Sequence, residues 1–157
     1  MKTGSKQQKK RFLVCDLQSL ESVNGCQRTA EGVWEGVPVL SAMGVGLYAV
    51  DLTRNTCEMS DAMNRLRIRQ AFSLILGSEC TIEEALAEFA RSKGITAEAF
   101  CRQAIFVSCV PGVLRALSVK HVFPVGVSDR SDVRPDFFEA GAHDVIERFD
   151  ALTDFFV

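Results

Sequence analysis

Five short apolar runs, each followed by a stretch with helical spacing, constrain this chain more than any other feature. The runs are Arg11 to Cys15, Gly46 to Val50, Ala71 to Leu76, Ala104 to Val107 and His121 to Val127. Strands of this kind, apolar on both faces and alternating with helices, form a parallel sheet covered on each side. Right-handed crossovers then place the five strands in the order 5-4-1-2-3. The helical stretches are Val37 to Met43, stopped by Gly44, then Thr56 to Leu66, Thr81 to Lys93, Pro111 to Leu117 and Asp132 to Ala140. Thr81 with Glu84 forms a capping box and Gly94 a stop. Asp144 to Ile146 reads as a short edge strand, Asp150 to Phe155 as a closing turn or two, and Glu21 to Gly36 shows no clear period. With 157 residues, 47% of them hydrophobic, and no repeat or linker, the expectation is a basic arm (1–10) and one doubly wound, three-layer α/β core (11–157).

Charge removes several function classes. A net charge of -2 offers neither a nucleic-acid stripe nor a membrane-seeking face. The exception is the head, Lys2, Lys6, Lys9, Lys10 and Arg11, read as a solvated arm and the only route to nucleic acid. No apolar run approaches the roughly 20 residues that span a bilayer, and the head lacks the apolar core of a secretion signal. Cytoplasm is the expected location, with a mitochondrial presequence left open by the acid-free basic head. Six cysteines make no Cys-x-x-Cys, and both histidines, His121 and His143, lie far down the chain. They read as reduced thiols in an intracellular protein, most of them packed as small hydrophobes.

Chemistry concentrates at the strand tips, where ligands gather in open α/β sheets. Asp16 ends the first run and is followed by Leu17 and Gln18; Asp51 ends the second and is followed by Thr53, Arg54 and Asn55. Such residues bind cations or anions, or cap the next helix or turn. Trp34, in the stretch without a period, either plugs a cleft or anchors a partner. Phe155 and Phe156 near the C-terminus are further interface candidates.

The stretch from Phe12 to Ser19 resembles the first motif of the haloacid dehalogenase superfamily, an apolar strand followed by Asp, any residue, Asp and Gly. Gly44 to Asn55 is similar to the second motif of its β-phosphoglucomutase-like branch, and Ala104 to Val113 to the fourth. Phe138-Glu139-Ala140-Gly141-Ala142-His143-Asp144-Val145-Ile146 resembles the closing Ala-Gly-Ala-Asp-x-Val-Ile segment. The resemblance implies an Asp nucleophile at Asp16, a general acid/base where Gln18 stands, and a phosphoryl-binding Ser where Asp51 stands. It also implies magnesium held by an acidic pair where Val107 and Ser108 stand. Gly77-Ser78-Glu79-Cys80 occupies the place of the third motif and supplies no Lys. A helical cap of many tens of residues belongs between Leu20 and Val37, where this chain has fewer than twenty.

An amide does not shuttle protons near neutrality, so Gln18 loses the acid/base role. Val107 and Ser108 give no anionic ligand, and magnesium prefers charged oxygens. The expectation is therefore a capless core with degenerate motifs and no cofactor, serving as a binding or scaffold subunit beside another protein. Two alternatives stand: a small phosphohydrolase or phosphoryl-transfer enzyme using Asp16, with magnesium, and a small-anion or nucleotide sensor using Asp51, Thr53, Arg54 and Asn55.

Overall fold

The structure is a computed structural model that describes residues 9–21, 29–117 and 122–157. The strands are β1 (Phe12–Asp16), β2 (Gly46–Val50), β3 (Leu74–Leu76), β4 (Ala104–Ser108), β5 (Phe123–Val127) and β6 (Asp144–Ile146). They form one parallel sheet in the order β3-β2-β1-β4-β5-β6. The expected five-strand order is present, and the short edge strand adds a sixth beside β5, pairing Val125 with Asp144 and Val127 with Ile146. The expected arm and His121 fall largely or wholly outside the described residues.

Alternation along each strand divides the core in two. Leu13 and Cys15 of β1, with Leu47 and Ala49 of β2, face a layer made by α1 (Val33–Ala42), α2 (Thr56–Arg65) and a C-terminal 3-10 stretch, Phe149–Phe156. Phe12, Val14, Tyr48 and Val50 face α3 (Ile82–Ser92) and α4 (Ala97–Arg102). There an aromatic cluster forms: Phe12 stacks on Phe100 at 4.6 Å, and Tyr48 meets Phe100 edge-on at 5.2 Å. Beyond β4 and β5, α5 (Pro111–Leu117) and α6 (Arg134–Glu139) contribute Leu114 and Phe137 to a third cluster with Val145.

Three readings of the chain are corrected. The first helix begins at Val33, four residues before the expected start, and carries Pro38 inside it. Its buried residues Val33, Gly36, Val37 and Leu40 have the spacing of a helix face. Gly36 and Pro38, poor helix formers, masked that period. β3 is shorter than expected because Arg69–Ala71 turns as a 3-10 segment, held by Phe72 N–H donating to Arg69 O. α4, unassigned in the sequence, is capped by Thr96, whose Oγ1 accepts from Ala99 N–H.

At the C-terminus, Phe156 turns into the core and Phe155 packs edge-on against Phe123. Phe156 therefore offers no surface for an interface, and the exposed residue there is Val157.

Candidate functional site

Parallel pairing of β1 with β2 and β4 brings Asp16, Asp51 and Ser108 to one rim, with Asp16 opposite Val50 and Cys15 opposite Val107. Asp16 is 1% exposed and Asp51 2%. Both carboxylates accept from the backbone just after their strands, as short polar side chains at strand ends do.

Around Asp16 the contacts are few. Ser108 Oγ–H donates to Oδ2 at 2.9 Å, and Gln18 N–H approaches Oδ1 at 3.4 Å. Ser19 Oγ–H donates to the Asp16 main-chain oxygen at 2.6 Å, tightening the 3-10 turn Leu17–Leu20. Burial lifts the Asp16 carboxyl from its ordinary 3.8 to about 6, against the lowering by its Ser108 and Gln18 hydrogen bonds. The nearby Asp51 charge pushes the same way as burial.

Asp51 is more fully engaged. Its Oδ1 accepts from Thr53 N–H (2.8 Å), Thr53 Oγ1–H (2.9 Å) and Arg54 N–H (3.1 Å), and its Oδ2 from Arg54 Nε–H (2.8 Å). The other edge of the same guanidinium donates to both Glu21 oxygens, at 3.1 and 2.7 Å. Glu21 holds the Arg54 proton most strongly, with Asp51 adding to it. Asn55 caps α2 in a box with Glu58. Thr53, Arg54 and Asn55, the sequence candidates for gripping an anion, thus spend their donors on Asp51, Glu21 and a helix end.

Glu79, in place of the third-motif Lys, accepts from Thr56 N–H at 3.0 Å and from Thr56 Oγ1–H at 3.0 Å. It ties β3 to the start of α2. Lys93 sits at the opposite end of α3, as its C-cap.

The segment standing where a cap would be is closed at its base: Glu21 and Thr29 pair antiparallel, and Ala30 N–H donates to Leu20 O. Beside it lies a cleft of about 580 Å³, bounded by Gln18, Ser19 and Cys109 and walled by Trp34. Asp16 lies just behind these residues and outside the lining. The wall carries Glu21, Glu31, Glu35, Asp129 and Glu147 against the single cation Arg148. Sequence reasoning missed this acidity because the residues come from four separated stretches. Cys109 is pushed up to about 11, chiefly by burial, and Cys15 also rises, so neither is a ready thiolate. His143 stacks on Phe123 at 4.4 Å, away from the rim.

No protein-family model and no curated protein matches this chain. Solved structures do. A putative phosphatase from Clostridium difficile superposes with TM-score 0.72 at 10% identity, covering 95% of this chain and 99% of that one. A putative β-phosphoglucomutase from Thermotoga maritima gives 0.65 at 14%, over 81% and 59%. The cobalt-bound form of a deoxy-D-mannose-octulosonate 8-phosphate phosphatase from Haemophilus influenzae gives 0.56 at 14%, over 89% and 79%. This chain therefore spans less than two thirds of the Thermotoga protein and nearly the whole length of the Clostridium one. It has the haloacid dehalogenase-like fold.

These neighbours correct the expectation of no cofactor. They are described as phosphatases and a mutase, and the Haemophilus phosphatase is described with cobalt bound. The residues here fit such an ion in one way. Each Asp16 oxygen has one protein donor, leaving lone pairs free, and magnesium accepts one carboxylate when waters and a substrate phosphate complete its shell. Among the described residues no group of three His, Cys, Asp or Glu forms a cage. The fit is to a cation shared with a bound phosphate. Among these residues, too, no helix is long and apolar enough to cross a membrane.

Proposed function

We propose that this chain is a small phosphohydrolase of haloacid dehalogenase-like fold, with Asp16 as nucleophile, acting on phosphates whose leaving group departs without needing a proton. One observation carries the reading: Asp16 is a strand-tip carboxylate, ionised above about pH 6, with lone pairs left unused beside a cleft. The phosphatases among the fold neighbours support it.

The restriction on substrate follows from Gln18. An Asp16 oxygen attacks phosphorus, the bond to the leaving oxygen breaks, and its electron pair departs with that oxygen. Water then attacks phosphorus of the aspartyl phosphate, its proton passing to a phosphate oxygen as the bond from phosphorus to the Asp16 oxygen breaks, which releases protonated phosphate and frees the Asp16 carboxylate. An alkoxide leaves slowly unless protonated, and a missing general acid slows such a step by about a hundred- to ten-thousand-fold. A carboxylate or phenolate leaves as a stable anion. Acyl and aryl phosphates are therefore the substrate class, and alkyl phosphates are not. A bound divalent cation offsets charge between Asp16 and the phosphate, in a cleft otherwise rich in carboxylates.

A second reading has its own support. Ser108 and the Asp51–Arg54–Glu21 chain of contacts spend the rim's hydroxyl and guanidinium on its own carboxylates, as suits a binding subunit that turns nothing over. Hydrolysis of acetyl phosphate and of an alkyl phosphate, with and without magnesium, separates the two. Magnesium-dependent acetyl phosphate turnover lost in Asp16→Ala supports the enzyme; no turnover of either ester supports the binding subunit.

A further inference from the structure

Helix α1 is apolar on both sides. Val33, Gly36, Val37 and Leu40 point into the core. Trp34 (53% exposed), Val39 (47%) and Met43 (40%), with Pro38 and Ala42, point outward. Glu35 is the helix's one charged residue. A helix apolar all round belongs inside something, and a contiguous exposed patch of this kind marks an interaction surface. Beside it runs a groove of about 500 Å³ lined by Trp34, Pro38, Ser41, Ala42, Arg67 and Ala71 among others.

The charges on this face are complementary to themselves: within its own chain Glu35 meets Arg148 at 3.9 Å and stays largely exposed, which leaves its carboxylate open to a second cation. Glu35 lies at the N-terminal end of α1, and Arg67 lines the groove beside Ser41 and Ala42 at the C-terminal end. Arg67 is exposed and, among the described residues, has no ion-pair partner. Shape runs the same way: the large Trp34 is at one end, the small Ser41 and Ala42 at the other. A two-fold axis across the middle of α1 crosses it antiparallel with its copy. Each end then meets the opposite end, as an isologous interface requires.

We propose that α1 is the interface of a homodimer, in which Trp34 seats against the partner's Ser41 and Ala42, and Glu35 pairs with the partner's Arg67. The indole face and the partner's guanidinium then also lie within reach for a cation–π contact. A contact through one face of a ten-residue helix is smaller than the ~800 Å² per partner of a standard interface, so the association is weak and reversible. Trp34 and Glu35 also line the cleft beside Asp16, so association, not turnover, is what tests the proposal.

Trp34 is the sole tryptophan, which makes its fluorescence a direct probe. Sedimentation and tryptophan emission of the full chain, followed from about 1 to about 200 µM, read the equilibrium. The expected result is a mass rising toward twice the monomer, with emission shifting to the blue over the same range. Trp34→Ala weakens association at least about tenfold by sedimentation, as do Glu35→Arg and Arg67→Glu. The double variant Glu35→Arg/Arg67→Glu restores it, because each reversed charge again meets its opposite across the axis. Circular dichroism confirms that each variant is folded. A chain monomeric at every concentration overturns the proposal, and so does a dimer that both Trp34→Ala and Glu35→Arg leave intact.

Discussion

The hydroxyl of Ser108, at the tip of β4, donates to the Asp16 carboxylate at the tip of β1 over 2.9 Å. Ser108 stands at one of the two positions where the resemblance implies an acid. A second carboxylate at this place would repel Asp16 unless a cation lay between them; a hydroxyl stabilises Asp16 whether or not a cation is present. The rim is thus stable in itself, with the buried carboxylate as its most strained charge.

That strain is measurable as a pH dependence. Native Asp16 titrates near 6, above its ordinary 3.8, so the folded state holds its proton more tightly than the unfolded chain does. Its contribution to stability is fully present below about pH 4 and lost as pH rises to about 6, by at most about 3 kcal/mol. Asp16→Asn should remove this slope and make the metal-free protein more stable at pH 7. Urea denaturation at several pH values between 4 and 8 tests it; a parallel profile for both proteins would refute the assignment.

The same proton governs turnover in the opposite direction. A nucleophilic carboxylate must be ionised, so at magnesium well below saturation kcat/KM for acetyl phosphate should rise with pH to a plateau, with a midpoint near 6 that saturating magnesium moves lower. A flat profile across pH 5 to 8 would place the nucleophile elsewhere.

Gln18→Asp is a gain-of-function test. If the amide is what limits the substrate range, the new carboxyl should raise alkyl phosphate turnover by about a hundredfold or more and leave acetyl phosphate much less changed. Equal effects on both substrates would show that Gln18 acts on binding alone.

Arg54 and Glu21 should respond unequally. Arg54→Ala strips the buried Asp51 of its charge partner and of one of its hydrogen bonds, at a cost of about 3 kcal/mol. Glu21→Gln weakens only a half-exposed contact, worth about 1 kcal/mol or less. Thermal denaturation of both variants reads the difference, and equal losses would mean that Arg54 serves the cap segment more than Asp51.

Gly77 tests how β3 is seated. A Cβ there would land on the main chain of Arg54, Asn55 and Thr56, where no side chain can move aside. Gly77→Ala should therefore cost about 2 kcal/mol or more and disturb the α2 end that carries Arg54. An unchanged melting temperature would show that this loop yields freely.

The strand order and the rim were legible in the sequence because apolar runs, helix caps and right-handed crossovers are local or nearly universal signals. Thr81 with Glu84 and Gly94 gave the bounds of α3 almost to the residue. The start of α1 was not legible: Gly36 is favoured by packing, since a Cβ would press on Asp150 and Phe149, more than a hundred residues away. Nor was the fate of Arg54 visible, because Glu21 reaches it across 33 positions of sequence. The acidic cleft wall escaped for the same reason. Long-range charge assembly leaves no period to read.

The C-terminal 3-10 stretch seats α1 directly: Phe149 N–H donates to Glu31 O, Asp150 leaves room only for glycine at 32, and it lies close against 36. An early helix is thus finished by late residues. During synthesis, most of the strands can pair while α1 still lacks this part of its seat, so the side of its apolar face that meets residues 149–156 waits for them to emerge. In that interval the chain is open to mispairing, and a chaperone able to shield one helix until then would raise its yield.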